Sequence, residues 1–135
     1  MPLLVVDTNV VLSAAIARSY TLDLIFNPQL TLIAPEFIHS EIEGHLGEIA
    51  GKSGLDESGL RQLFDSIFRR ITVLSEVEYE KFRDAAMAAS PDKDDWPFFA
   101  LALKENCGIW SNEKRLKKQD EVRVSSTREI ASLLH

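Results

Sequence analysis

Four consecutive apolar residues, Leu3 to Val6, stop at Asp7 and give way to an apolar stretch that starts at Thr8. A run this short, with no polar residue alternating through it, suits a strand covered on both faces. Such strands belong to parallel sheets whose crossovers are helices. The unit recurs along the chain. Leu30 to Ala34 is a second apolar run, closed by Pro35 and followed by EFIHSEIEGHLGEI, where Phe37, Ile38, Ile42, Leu46 and Ile49 share one helical stripe. The glycine-bearing segment 51–59 reads as a helix–helix loop. LRQLFDSIFRR then predicts a helix, Ile71 to Leu74 a β-branched strand, and Glu76 to Ala89 another helix. After a polar break at Ser90 to Asp94, DDWPFFALALKEN predicts a helix with a proline in its first turn, running to about Asn106 with Gly108 as its stop. GIW is a short strand, EKRLKKQ a helical turn, EVRVSS a last strand and TREIASLLH a closing helix. Five strands alternating with helices imply an α/β fold, a three-layer α/β/α sandwich around a central five-stranded parallel sheet.

With 135 residues, the chain has the size of one domain, residues 1–135, and 45% hydrophobic and 27% charged residues are ordinary globular proportions. The apolar runs are too short for a membrane span, and the N-terminus lacks a basic region and cleavage site, so a cytoplasmic protein with no membrane partner is expected. The single cysteine, Cys107, reads as a core thiol at the start of a buried strand. Fifteen basic against 21 acidic residues, a net charge of −6, disfavour nucleic-acid binding through bulk charge. The imbalance is uneven: residues 1–68 hold nine acids and three bases, whereas EKRLKKQDE at 113–121 holds four of the 15 bases.

In open parallel sheets ligands gather at the carboxyl ends of the strands. Asp7 directly follows the first strand and Glu113 the fourth, while Asp92, Asp94 and Asp95 crowd the start of the helix before that fourth strand. Glu41 lies on the helix after the second strand. Taken singly, Asp7 and Asp95 suit helix N-termini and Glu41 a solvated helix face. Taken together they suit a site for Mg²⁺ or Mn²⁺, because converging carboxylates repel one another unless hard cations compensate them. A divalent site of that kind supports phosphodiester hydrolysis.

VVDTNVV, APEFIHSEI, PDKDDWPFFALAL and GIWSNEKRL, in that order, resemble the PIN domain family, metal-dependent ribonucleases that include the VapC toxins. The resemblance implies an endoribonuclease with Asp7, Glu41, Asp95 and Glu113 as catalytic and metal-binding acids, Asp92 assisting at the metal, and Mg²⁺ or Mn²⁺ as cofactor. It implies that Thr8 and Asn9 support Asp7 by hydrogen bonding, with Ser111 and Asn112 as further supporting residues. RNA is the implied partner, with a small antitoxin protein and a homodimer as candidate assemblies.

The chain departs from the family at its fourth motif, Ser111–Asn112–Glu113–Lys114–Arg115, where Glu113 takes the place of an aspartate and Arg115 that of an acid. Arg115 neutralises the cluster, weakens metal binding or touches RNA phosphate. Lys114, Arg115, Lys117 and Lys118 are RNA-contact candidates, with a plain solvated turn as the alternative. Trp96, Phe98, Phe99 and Trp110 suit the core better than base stacking, and His39 and His45 suit the surface. Two competing readings are a catalytically weak PIN-like RNA- or protein-binding module and a receiver-type signalling domain, although the latter would want paired acids after the first strand.

Overall fold

The structure, a computed structural model, describes residues 2–18 and 20–134; His135, expected at the end of the closing helix, lies outside them. Strand β1 (Leu3–Val6) is the middle of a five-stranded, wholly parallel sheet of order β3-β2-β1-β4-β5, completed by β2 (Thr31–Pro35), β3 (Ile71–Leu74), β4 (Gly108–Trp110) and β5 (Val124–Ser125). Its central place explains its unbroken apolarity: Val5 and Val6 are fully buried, paired with Ile33 on one side and with Ile109 and Trp110 on the other. The chain builds outward from β1 through β2 to β3, then crosses back to place β4 on the other side of β1. The strand order thus reverses between β1 and β4, the point at whose carboxyl ends open parallel sheets receive their ligands. A receiver-type domain has the order 2-1-3-4-5, so the topology rules that reading out.

Among the described residues eight α-helices flank the sheet: α1 (Thr8–Ala17), α2 (Tyr20–Ile25), α3 (Phe37–Glu43), α4 (Leu46–Ser53), α5 (Glu57–Phe68), α6 (Arg83–Ala89), α7 (Trp96–Glu105) and α8 (Thr127–Leu133). No described helix is long and apolar enough to cross a membrane. Several boundaries differ from expectation for local reasons. The stripe from Phe37 to Ile49 is two helices, because the chain turns at Gly44 and His45, whose backbone (φ −113°, ψ 2°) leaves the helical region. The loop expected at 51–59 shrinks to 54–56: α4 continues through Ser53, Gly54 stops it with φ +74°, and the Asp56 carboxylate caps α5 by accepting the Gly59 amide at 2.7 Å. Residues 76–82 form two 3₁₀ turns rather than the start of a helix, with buried Tyr79 at the kink.

At the end of α7 the stop is Asn106, in the left-handed region at φ 51°, and not Gly108. Gly108 opens β4 for another reason. A Cβ there would stand 2.8 Å from the Arg123 carbonyl oxygen, which accepts the amide of the next residue, Ile109. The last strand is Val124–Ser125 alone, shorter than EVRVSS, because Val122 is buried ahead of it in a turn closed by Gln119. Helix α2 had no counterpart in the sequence reading.

Candidate active site

Asp7 leaves β1 at the reversal of strand order, its amide donating to the Trp110 carbonyl of β4 at 3.0 Å. The side chain is 6% exposed. It occupies the N-cap position of α1 yet makes no capping hydrogen bond; instead Oδ2 accepts from the Ser111 hydroxyl at 2.7 Å. Burial pushes its carboxyl up to about 6; the Ser111 hydrogen bond opposes the rise, and the charges of Glu113 and Glu41 add to it.

Asp95 ends a 3₁₀ turn (Lys93–Asp95) ahead of α7, and it too occupies an N-cap position without a capping bond. Its carboxyl is pushed up to about 7, first by burial and then by the charges of Asp7, Asp92, Glu113 and Glu41. That mutual influence ties acids from four parts of the chain into one electrostatic cluster. Glu41, half-buried on α3, is raised in the same direction by burial, while the Thr8 hydroxyl, donating to its Oε1 at 2.5 Å, opposes the rise.

The supporting residues differ in part from the expected ones. The Thr8 hydroxyl holds Glu41, while its backbone amide supports Asp7. Asn9 is exposed, and its side chain makes no hydrogen bond among the described residues. Ser111 holds Asp7 and also accepts the Glu113 amide at 3.1 Å, so one buried hydroxyl sets the positions of two acids. Asn112 does not face the acids: its amide accepts from the Thr127 backbone at 2.8 Å and donates to the Thr127 hydroxyl at 2.9 Å, fastening the loop after β4 to the start of α8.

Arg115 lies in the 3₁₀ turn Lys114–Lys117, which buried Leu116 anchors. It turns toward the acids: Nη2 donates to Glu113 Oε1 at 2.7 Å and to Asp92 Oδ2 at 3.1 Å. Asp92 also caps the Lys93–Asp95 turn through the Asp94 amide at 3.0 Å. No spacing rule connects residues 92 and 115, so this link was not visible in the sequence. Lys117 pairs with Glu129, a carboxyl that this contact helps to hold down at about 2. Lys114 and Lys118 are exposed and have no carboxylate partner among the described residues, so of the basic run they alone are available to phosphate.

Phe98, Phe99 and Trp110 are buried in the core, and the Trp110 indole donates to Thr127 Oγ1 at 3.0 Å. Trp96 is only half-buried, tilted against Tyr79 with the Arg83 guanidinium 4.7 Å from its ring centre. Cys107 is half-buried rather than a full core residue, with burial pushing its thiol up to about 11. His39 stacks against Phe68 and His45 faces Glu48, both on the surface.

The donors are carboxylate oxygens, the hard ligands that Mg²⁺ and Mn²⁺ prefer, and the carboxyls of Asp7 and Asp95 are raised first by burial and then by the charges of the acids around them. Among the described residues no three His, Cys, Asp or Glu side chains stand close enough to share one ion. That arrangement still fits Mg²⁺, which keeps several waters and commonly takes only one or two carboxylates. Ser111→Ala should raise the proton affinity of Asp7 further by removing the hydroxyl that opposes its rise. Mn²⁺ affinity at pH 6.5 should then fall by roughly tenfold, given about 1.5–3 kcal/mol for a hydrogen bond to a charged group, and the deficit should shrink at pH 8. Calorimetric titration at both pH values checks this, and equal affinities of variant and wild type would confine Ser111 to shaping the turn.

Residues 5–135 match the PIN domain family. No curated protein matches the sequence. Among solved structures, the chain is similar to one in the crystal structure of VapBC2 from Rickettsia felis bound to a DNA fragment from their promoter. The TM-score is 0.62 at 13% identity, covering 92% of this chain and 98% of that one. At that identity the likeness is one of fold.

Proposed function

The chain belongs to the PIN-domain family, whose members are generally nucleases, and from that premise we propose that it is a Mg²⁺- or Mn²⁺-dependent endoribonuclease acting on single-stranded RNA. The observation that carries this reading is the buried Asp7 at the carboxyl end of β1, oriented by Ser111 and grouped with Glu41, Asp92, Asp95 and Glu113, whose charges act on one another. Asp7, Glu41, Asp95 and Glu113 are the acids that would hold the cation, with Asp92 beside them. A divalent ion supplies the positive charge that makes water a nucleophile near neutral pH and offsets charge on the phosphodiester oxygens. Ser111 and Thr8 keep Asp7 and Glu41 oriented by donating to them, and Lys114 and Lys118 offer their ammonium groups to flanking phosphates. By its likeness in fold to a chain of VapBC2, we assign it the toxin's part in a toxin–antitoxin pair, working in the cytoplasm beside a small antitoxin protein.

Incubation of the purified protein with end-labelled single-stranded RNA tests the proposal. Cleavage should require Mn²⁺ or Mg²⁺, stop with EDTA and return when the ion is restored. Cleavage indifferent to EDTA, or none with either ion, would sink it. A second reading, a weakly catalytic PIN-like module that binds RNA or protein, is favoured by one observation, the engagement of Glu113 and Asp92 by Arg115. It predicts RNA retention without metal-dependent cleavage in the same assay.

A further inference from the structure

We propose that Arg115 is a built-in replacement for a cation between Glu113 and Asp92, so that this chain takes one divalent ion and not a second beside it. The proposal rests on the metal-dependent reading above. One guanidinium nitrogen, Arg115 Nη2, bridges Glu113 Oε1 at 2.7 Å and Asp92 Oδ2 at 3.1 Å. This is the position a bridging cation would hold between two carboxylates that come from different elements. Among the described residues Asp7 and Asp95 have no such partner: the charges that most affect Asp95 are all acids, and the side-chain partner of Asp7 is a neutral hydroxyl. The acids therefore divide into an inner group with unmet negative charge and an outer pair already served by a guanidinium.

Fold stability does not account for the bridge. The Arg115 side chain is 51% exposed, and exposed ion pairs of this kind add little. The anchoring of its turn falls instead to Leu116, which is buried. The bridge has a specific electrostatic effect. It uses lone pairs that an ion would need, and it places a fixed positive charge where a second ion would sit. A guanidinium stays charged at any working pH, so no change of pH clears the position.

Titration with Mn²⁺ alone, followed by calorimetry and by electron paramagnetic resonance, tests this on the intact chain. Wild type should bind one ion, with the spectrum of an isolated Mn²⁺. Arg115→Ala should bind two, the second at least about tenfold weaker than the first, with spin coupling between them, and its melting temperature without metal should stay within about 2 °C of wild type. Arg115→Lys, which restores a cation, should return the count to one. Glu113→Gln, with Arg115 intact, should bind one. Two ions in wild type, or one ion with unchanged affinity in Arg115→Ala, would overturn the role of Arg115 while leaving the metal-dependent reading in place. A wild type that binds no Mn²⁺ would overturn both.

Discussion

Asp7→Asn should reduce RNA cleavage at saturating Mn²⁺ by at least about 100-fold, because an amide keeps the shape but gives up the charge that holds a hard cation; the loss corresponds to about 3 kcal/mol or more of transition-state stabilisation. The same substitution should stabilise the metal-free protein, in a pH-dependent way. The carboxyl titrates near 6 in the folded chain and near 3.9 in the unfolded one. Below about pH 4 it is protonated in both states and costs nothing. As pH rises from about 4 to about 6 the folded protein must give up a proton it binds more tightly than the unfolded chain does, so stability falls through that window and the loss is complete above it. At about 1.4 kcal/mol per unit, the loss is at most about 3 kcal/mol. Asparagine does not titrate and still accepts the Ser111 hydroxyl through its carbonyl oxygen. The melting temperatures of variant and wild type should therefore coincide near pH 4 and separate by several degrees at pH 7.5, with the variant higher. Adding Mn²⁺ should reverse their order, since ligand binding stabilises the wild type alone. A variant less stable than wild type at every pH would make Asp7 a structural residue.

Trp110→Ala carries the other large effect. The side chain is fully buried at the end of β4, its indole N–H held by Thr127, and truncation of a buried tryptophan costs about 3–5 kcal/mol. In a chain marginally stable by about 5–15 kcal/mol, much of the stability goes with it. Urea unfolding should show a midpoint lowered by more than about 1 M at an unchanged slope. Trp110→Phe keeps most of the volume and forfeits the hydrogen bond, so it should cost about 1–2 kcal/mol. If alanine proved as mild as phenylalanine, the region around β4 would not be packed as described.

The parts of this fold set by local chemistry were legible in the sequence. Leu3–Val6 could only be a doubly covered strand, and the acid that ends it falls where a parallel sheet presents ligands. Pro97 marked the first turn of α7, and the paired β-branched residues of β3 marked a strand. What escaped depended on partners far away in the chain. Gly44 looks tolerable inside a stripe that continues on both sides of it, and Gly51 looks like a loop until α4 is seen to run past it. The Thr8 hydroxyl serves Glu41, 33 positions away, and Arg115 reaches an aspartate 23 positions upstream. Among the acids, strand ends were enough to nominate Asp7 and Glu113, whereas the separate surroundings of Asp92 and Asp95 came from packing alone.

The contact between Ser111 and Asp7 joins positions 104 residues apart. The first acid therefore emerges early during synthesis, while the hydroxyl that orients it, and Glu113 beside it, come only after four-fifths of the chain has been made. Chains grow from the amino end and their early parts settle first, yet β1 cannot receive β4 until the three connections between them are made. A site assembled in this order is complete only when the last fifth of the chain is in place, and a product cut short before Ser111 carries Asp7 without the hydroxyl that orients it.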